Sequence, residues 1–188
     1  MNRVVKELKK YKSLHEIHKL YYDNIGVAFL DSSMVNDLGK YSILGIDPYL
    51  TVKEIEGKLY INDVVSEEKF EIFLENYLKE KYQENNTGLP IIRGGIGYLS
   101  YEYGKKFEKI KSENIPTARV WDAVFYFYKH FIIEDRHLKK IYIIGDAIEE
   151  IENIEKEIEA IRIFKNDIDK SGFLSDNYIG AEGMYKRE

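Results

Sequence analysis

From Trp121 to Glu134 the chain reads W-D-A-V-F-Y-F-Y-K-H-F-I-I-E, apolar on both of its alternating faces. Ala123, Phe125, Phe127 and Phe131 fall on one side, and Val124, Tyr126, Tyr128 and Ile132 on the other. A strand of that kind needs a layer above it and a layer below it. After a turn at Asp135 to Lys139, residues Lys140 to Ile144 return as its hairpin partner. Val4, Val5 and Leu8 predict a short first strand, and the continuous apolar run Ile25 to Leu30 predicts a central one. Tyr41 to Ile46 forms another strand, closed by Asp47-Pro48. Tyr49 to Ile55 and Lys58 to Ile61 flank Glu56-Gly57, a pair suited to a two-residue hairpin turn.

Elsewhere the apolar period is helical. Ser13 with Glu16 fits a capping box, and Leu14, Ile17 and Tyr21 come next, so the spacing predicts a helix over about 14–22. Ser66, with Glu67 and Glu68 after it, marks a second start; Phe70, Phe73, Leu74, Tyr77 and Leu78 supply its apolar face. That helix fades into the polar loop 83–88. From Asp146 onward Ile148, Ile151, Ile154, Ile158 and Ile161 make one stripe, with Glu149, Glu150, Glu152, Glu155 and Glu157 largely outside it. The acidic run is read as a solvated helix face, not a metal site. Ser171-Gly172 ends this segment, and the stretch from Phe173 onward reads as a surface linker.

Arg93 to Glu108 keeps neither rhythm: R-G-G-I-G-Y-L-S-Y-E-Y-G-K-K-F-E. Gly94, Gly95 and Gly97 suit close backbone approach, and Tyr98, Leu99, Tyr101 and Tyr103 carry the bulk of a buried strand. The glycine spacing matches neither the dinucleotide fingerprint nor the phosphate loop. Phe107 to Pro116 reads as an exposed connection.

Composition narrows the classes. A chain of 188 residues with 44% hydrophobic and 14% aromatic content is long and apolar enough to bury a core. A net charge of −5 supplies no basic footprint, which argues against nucleic acid as a partner. The absence of cysteine excludes a disulfide scaffold, a thiol nucleophile and a cysteine zinc site. No stretch has the length and apolarity of a membrane span, so a soluble, cytoplasmic protein with no membrane partner is expected. His15 and His18 share a helix face without a third ligand, His130 reads as a satisfied core histidine, and His137 belongs to a turn. There is no G-x-S-x-G and no serine–histidine–acid arrangement. Catalytic residues and metal ligands are therefore expected to be absent.

Three blocks carry a family resemblance in their order. F-L-D-S-S (Phe29 to Ser33), G-K-Y-S-I-L-G-I-D-P (Gly39 to Pro48) and G-G-I-G-Y-L-S-Y-E-Y-G-K-K-F-E resemble the N-terminal region of component I of the chorismate-utilising synthases. That family comprises aminodeoxychorismate (para-aminobenzoate) synthase and anthranilate synthase. The resemblance implies an α+β fold, two antiparallel β-sheets packed as a sandwich with helices on the outer faces. It implies an N-terminal domain over 1–170, then a linker over 171–188 leading to an absent C-terminal chorismate-binding domain. Chorismate, Mg2+ and the acid/base residues would belong to that domain, so this fragment alone would not turn over chorismate.

The family's N-terminal region holds an amino-acid pocket, for L-tryptophan in several members. Its elements match Leu30, Asp31 and Ser32, then Gly39, Lys40 and Tyr41. Asp31 and Ser32 could bind an ammonium group, with Tyr41 as an aromatic wall. Gly94, Gly95, Gly97, Tyr98, Tyr101 and Glu102 would form the motif strand, with a structural role. Of the two branches, F-L-D-S-S and S-Y-E-Y-G look more like aminodeoxychorismate synthase, whose whole enzyme aminates chorismate for folate synthesis with a glutamine amidotransferase partner. The alternatives are the anthranilate synthase component and, in another class, a stand-alone amino-acid-binding module.

Overall fold

The structure, a computed structural model, describes residues 3–34, 36, 39–108 and 120–161. Strands β1 (Val4–Glu7), β2 (Ala28–Leu30), β3 (Tyr41–Ile55), β4 (Lys58–Ile61), β5 (Val64–Ser66), β6 (Gly95–Leu99), β7 (Ala123–Asp135) and β8 (Lys140–Gly145) alternate with four helices. These are α1 (Leu14–His18), α2 (Phe70–Lys81), α3 (Tyr101–Glu108) and α4 (Ile148–Ala160). All strand pairings are antiparallel. The linker read over 171–188 and the connection over 109–116 lie outside the described residues.

The two long strands β3 and β7 pair along nearly their full length and form the spine. Each has a second edge to share. The far half of β7 pairs with β8, and its near half with β6. The start of β3 pairs with β2, and its end with β4. The α+β, antiparallel architecture with outer helices stands, but its two sheets are halves of one eight-stranded sheet. They are joined because β3, with 15 residues, and β7, with 13, run through both.

Asp47-Pro48 does not end a strand, as the sequence had suggested. Pro48 has no N–H to offer the ladder, and the register shifts between Pro48 and Leu50, a bulge that lets β3 continue. Asp47 adopts φ 55° there, and the His130 ring holds its carboxyl below the usual range. His130 is buried, with Nδ1 2.8 Å from Asp47 and Nε2 3.1 Å from Glu150 of α4. It is the satisfied core histidine that its place in an aromatic strand predicted.

Glu56-Gly57 turns as expected, with φ of 53° and 74°. A second hairpin at Asn62-Asp63, with φ of 48° and 65°, carries the chain into β5, which the apolar pattern did not reveal. Consequently Ser66 belongs to β5, and α2 starts at Phe70 after Lys69; the Ser66 hydroxyl instead accepts from the Glu68 N–H. The run at Ile25 to Leu30 yields only a three-residue strand that pairs with β3, and Ile25 is exposed.

Three apolar clusters hold the sheet. Leu14, Ile17 and Tyr21 meet Leu44, Ile46, Ile132 and Ile143, with Ile151, Ile154 and Ile158 of α4 alongside. Phe70 and Tyr103 cover Leu50, Val52, Leu59 and Phe127. Tyr128, Phe131, Ile133 and Ile144 face the other way, under Leu89 and Ile92. Both faces of β7 are thus buried, as its pattern required, but Phe131 packs with Tyr128 and not with Phe127, while Ile132 packs with Leu44 and Ile46, so strict alternation does not hold past Tyr128. Each buried aliphatic side chain contributes roughly 1.5–3 kcal/mol.

The capping box at Ser13 is complete: Ser13 N–H donates to Glu16 Oε2 at 3.0 Å, and Glu16 N–H to Ser13 Oγ at 3.3 Å. Ser13→Ala is expected to cost about 1 kcal/mol in urea unfolding, with the native circular dichroism unchanged. At the other helix end, Lys12 Nζ donates to the carbonyls of Ile158 and Ile161 at 2.6 and 2.7 Å, tying the segment before α1 to the last turn of α4.

Candidate functional site

The glycine–tyrosine stretch does not form one buried strand. Gly95 to Leu99 is β6, and the chain then turns into α3, so Tyr101 and Glu102 are helical. Tyr98, Leu99 and Tyr101 are exposed, while Tyr103 is buried and donates from its hydroxyl to Glu71 at 2.8 Å. Two of the glycines occupy positions with little room for a side chain. Gly94 takes φ 151°, and Gly97 lies where a Cβ would collide with the Val124 carbonyl. Period-two reading failed after Leu99 because Ser100 starts a helix; its Oγ accepts from the Tyr103 N–H at 3.1 Å.

The strand-end elements do come together. Asp31 and Ser32 come directly after β2, and Lys40, Tyr41 and Ser42 open β3, so the β2–β3 pairing sets them side by side. Ser32 Oγ donates to the Tyr41 carbonyl at 2.7 Å, and the Ser32 N–H donates to Ser42 Oγ at 3.1 Å. Ser42 Oγ in turn donates to Asp31 Oδ1 at 3.0 Å. Lys40 Nζ stands 4.8 Å from the centre of the Tyr41 ring and 3.6 Å from Asp135. Its ammonium is held above the usual lysine range, chiefly by the Tyr41 side chain and then by Asp135. Leu30 is exposed beside them, and Gly39 N–H donates to Asn36 Oδ1 at 2.7 Å.

Sequence reasoning missed the residues that hold this cluster together. Arg136, in the turn between β7 and β8, donates from Nη1 to the Ser32 carbonyl and lies 3.4 Å from Asp31 Oδ1. Its own N–H donates to the Lys40 carbonyl at 3.0 Å. Asp135 is buried and accepts from the N–H groups of His137 and Leu138 at 3.0 and 2.9 Å while pairing with Lys40. The one turn therefore grips both strand-end elements. Its only signal in the sequence was an Asp-Arg pair at a predicted hairpin, which hairpins use everywhere.

His15 also approaches the cluster, with Nε2 3.7 Å from Asp31. It does not form a ligand pair with His18; both rings lie against Phe29, at 5.2 and 4.9 Å between centroids. Among the described residues no group of three histidine or carboxylate side chains is gathered in a way that could hold a metal ion. Among them, too, no helix is long and apolar enough to cross a membrane.

These blocks have known counterparts. The model of a family described as chorismate binding enzyme matches residues 32–177, more than half of the chain. The chain belongs to this family. Relatives within reach are component I proteins. Anthranilate synthase component 1 of Lactococcus lactis is 30% identical over 113 residues, 59% of this chain and 25% of that protein. Aminodeoxychorismate synthase component 1 of Bacillus subtilis is 28% identical over 111 residues, 56% of this chain and 24% of that protein. The crystal structure of anthranilate synthase component I from Streptococcus pneumoniae superposes with a TM-score of 0.55 at 22% identity. It covers 75% of this chain and 32% of its own, and it supports the fold alone. This chorismate-binding family member thus spans about a quarter of the curated relatives it matches.

Proposed function

We propose that the chain is the N-terminal, non-catalytic part of an aminodeoxychorismate synthase component I. The observation that carries this reading is the gathering of Asp31, Ser32, Lys40 and Tyr41 at the β2–β3 strand ends. The whole enzyme would aminate chorismate to 4-amino-4-deoxychorismate with Mg2+, using ammonia from a glutamine amidotransferase partner. F-L-D-S-S and S-Y-E-Y-G favour that branch. The relatives named anthranilate synthase component 1 favour a second reading, in which the product is anthranilate. The test is the native gene product, isolated from its source and supplied with chorismate, ammonium and Mg2+. Release of 4-amino-4-deoxychorismate supports the first reading and anthranilate the second. A native product no longer than this chain and inert toward chorismate would overturn both, leaving a stand-alone binding module.

The cluster itself would hold a free amino acid such as L-tryptophan. Asp31 Oδ2, 3.7 Å from His15 Nε2, would accept from the ammonium group, and Arg136 has further guanidinium N–H groups for the carboxylate. At ten times the Kd, L-tryptophan should add about 1.4 kcal/mol of stability, a rise of a few degrees in Tm. Arg136→Gln is expected to remove that rise, and Arg136→Lys, which keeps the charge but not the fork, to restore only part of it. A full rise in Arg136→Gln would exclude Arg136 from the site.

A further inference from the structure

A cleft that shares no residue with the Asp31–Arg136 cluster lies on the other half of the sheet. It encloses about 230 Å³ between β3, α2 and the segment before β6. Its walls are Tyr49, Tyr77, Tyr82, Gln83, Arg93 and Phe127. We propose that this cleft binds a small planar anion, a single-ring carboxylate bearing a hydroxyl or amino donor.

Each part of that ligand answers a feature of the cleft. The ring answers the aromatic walls. Phe127 is buried, the Tyr77 ring lies 4.8 Å from it edge-on, and the Tyr49 and Tyr77 hydroxyls bond each other at 2.6 Å. That bond fixes two of the walls in place before any ligand arrives, which lowers the ordering cost of binding. Tyr82 is largely exposed at the rim and adds an aromatic ring to the lining.

The carboxylate answers the guanidinium of Arg93, which lines the cleft. Arg93 Nη2 donates to Asp146 Oδ1 at 2.7 Å, but the same oxygen also faces Arg3 Nε at 3.5 Å. One carboxylate therefore serves two guanidinium groups. Glu150 adds a second negative charge near Arg3, so it is Arg93, which lines the cleft, that would meet the anion. Lys81 adds a third cation at the rim, 5.9 Å from the centre of the Tyr77 ring, partly offset by Glu80 at 2.6 Å.

The donor answers Gln83. Its Oε1 is buried and, among the described residues, has no hydrogen-bond partner. A buried acceptor left unpaired costs about 1–3 kcal/mol, and the side chain carrying it lines the cleft. A hydroxyl or amino group on the ligand would satisfy it. The volume falls below the roughly 300 Å³ at which drug-sized sites begin, so the ligand is one ring and not two.

The test titrates the 188-residue chain with 4-hydroxybenzoate, benzoate and 4-hydroxybenzyl alcohol, by calorimetry or ligand-observed NMR. The expected Kd for 4-hydroxybenzoate is about 0.1–1 mM, appropriate to a ligand of that size. Benzoate, lacking the donor, should bind roughly fivefold to tenfold more weakly, and the uncharged alcohol at least about tenfold more weakly. Gln83→Leu removes an unsatisfied group, so the chain should be as stable as before or more so. Its 4-hydroxybenzoate affinity should fall to that of benzoate. Arg93→Gln should weaken both acids about tenfold or more. If Arg93→Gln disturbs folding through Asp146, Gln83→Leu still decides. The proposal is overturned if 4-hydroxybenzoate shows no saturable binding by about 10 mM. It is equally overturned if a folded Gln83→Leu chain binds 4-hydroxybenzoate as tightly as before.

Discussion

Gly97→Ala is expected to destabilise the chain by about 3 kcal/mol or more, a large share of an ordinary domain's stability. Gly97 stands opposite Phe125 in the β6–β7 pairing. A Cβ there would run into the Val124 carbonyl and come within 2.7 Å of the Phe125 ring. A flexible side-chain tip could move aside, but the carbonyl cannot. It belongs to β7, whose backbone is fixed between β3 on one edge and β6 on the other. Relief would require β6 to lift off the sheet. Gly104→Ala is the control. Gly104 lies within α3, nothing stands within 4 Å of its added Cβ, and alanine is the better helix former by about 1 kcal/mol. Urea unfolding monitored by circular dichroism separates the two. A Gly97→Ala midpoint within experimental error of the parent's would show that β6 is not seated on β7 as described.

Alkali should unfold the protein as steeply as that substitution. Tyr128 and Tyr21 are buried, and burial pushes both hydroxyls above the ordinary tyrosine value of 10. The hydrogen bond to Glu157, at 3.0 Å, pushes Tyr21 further, and Tyr126 adds to the shift at Tyr128. The folded chain therefore keeps protons that the unfolded chain gives up above about pH 10. Stability is whole below about pH 10 and declines as pH rises beyond it, by about 1.4 kcal/mol per pH unit for each such group. Two groups give a slope of about 2.7 kcal/mol per pH unit.

Tyr77 and Tyr103, raised by burial and by their hydrogen bonds to Tyr49 and Glu71, work in the same direction; Tyr11, pushed up to about 12 by burial and by Glu134, does so to a lesser extent because it is more open to solvent. Stabilities of ordinary domains do not survive such a loss across about two units. Tyrosinate absorbance and circular dichroism should therefore change together between about pH 10 and about pH 12. Tyr128→Phe should flatten the slope, while losing the bond from its hydroxyl to the Gly26 carbonyl, at 2.8 Å, costs about 1 kcal/mol at neutral pH. Absorbance that completes its rise near about pH 10 with the dichroism intact would show these hydroxyls to be in contact with water.

The residues that hold the candidate cluster show why only half of it was legible. Asp31, Ser32, Lys40 and Tyr41 sit in two short blocks whose types and order resemble a family pattern. Asp135 and Arg136 lie far along the chain from both blocks, and nothing near them distinguishes their turn from any other. The same holds for Gln83 and Arg93. Each is an ordinary polar residue until α2 and β6 set them around Phe127.

Local chemistry in the sequence determined the doubly buried strand β7, the capping box at Ser13, the Glu56-Gly57 hairpin and the buried role of His130. Each depends on neighbours within a few positions, where side-chain period and turn propensity act directly. Tertiary structure alone decided that β3 runs through Pro48, that Ile25 stays exposed, that the strand at Gly97 ends before Tyr101, and that the two sheets are one. Those outcomes depend on which backbone edges find partners across the chain. A long strand can carry a proline when a bulge and a full-length neighbour secure the bonds on either side of it, and no local window contains that neighbour.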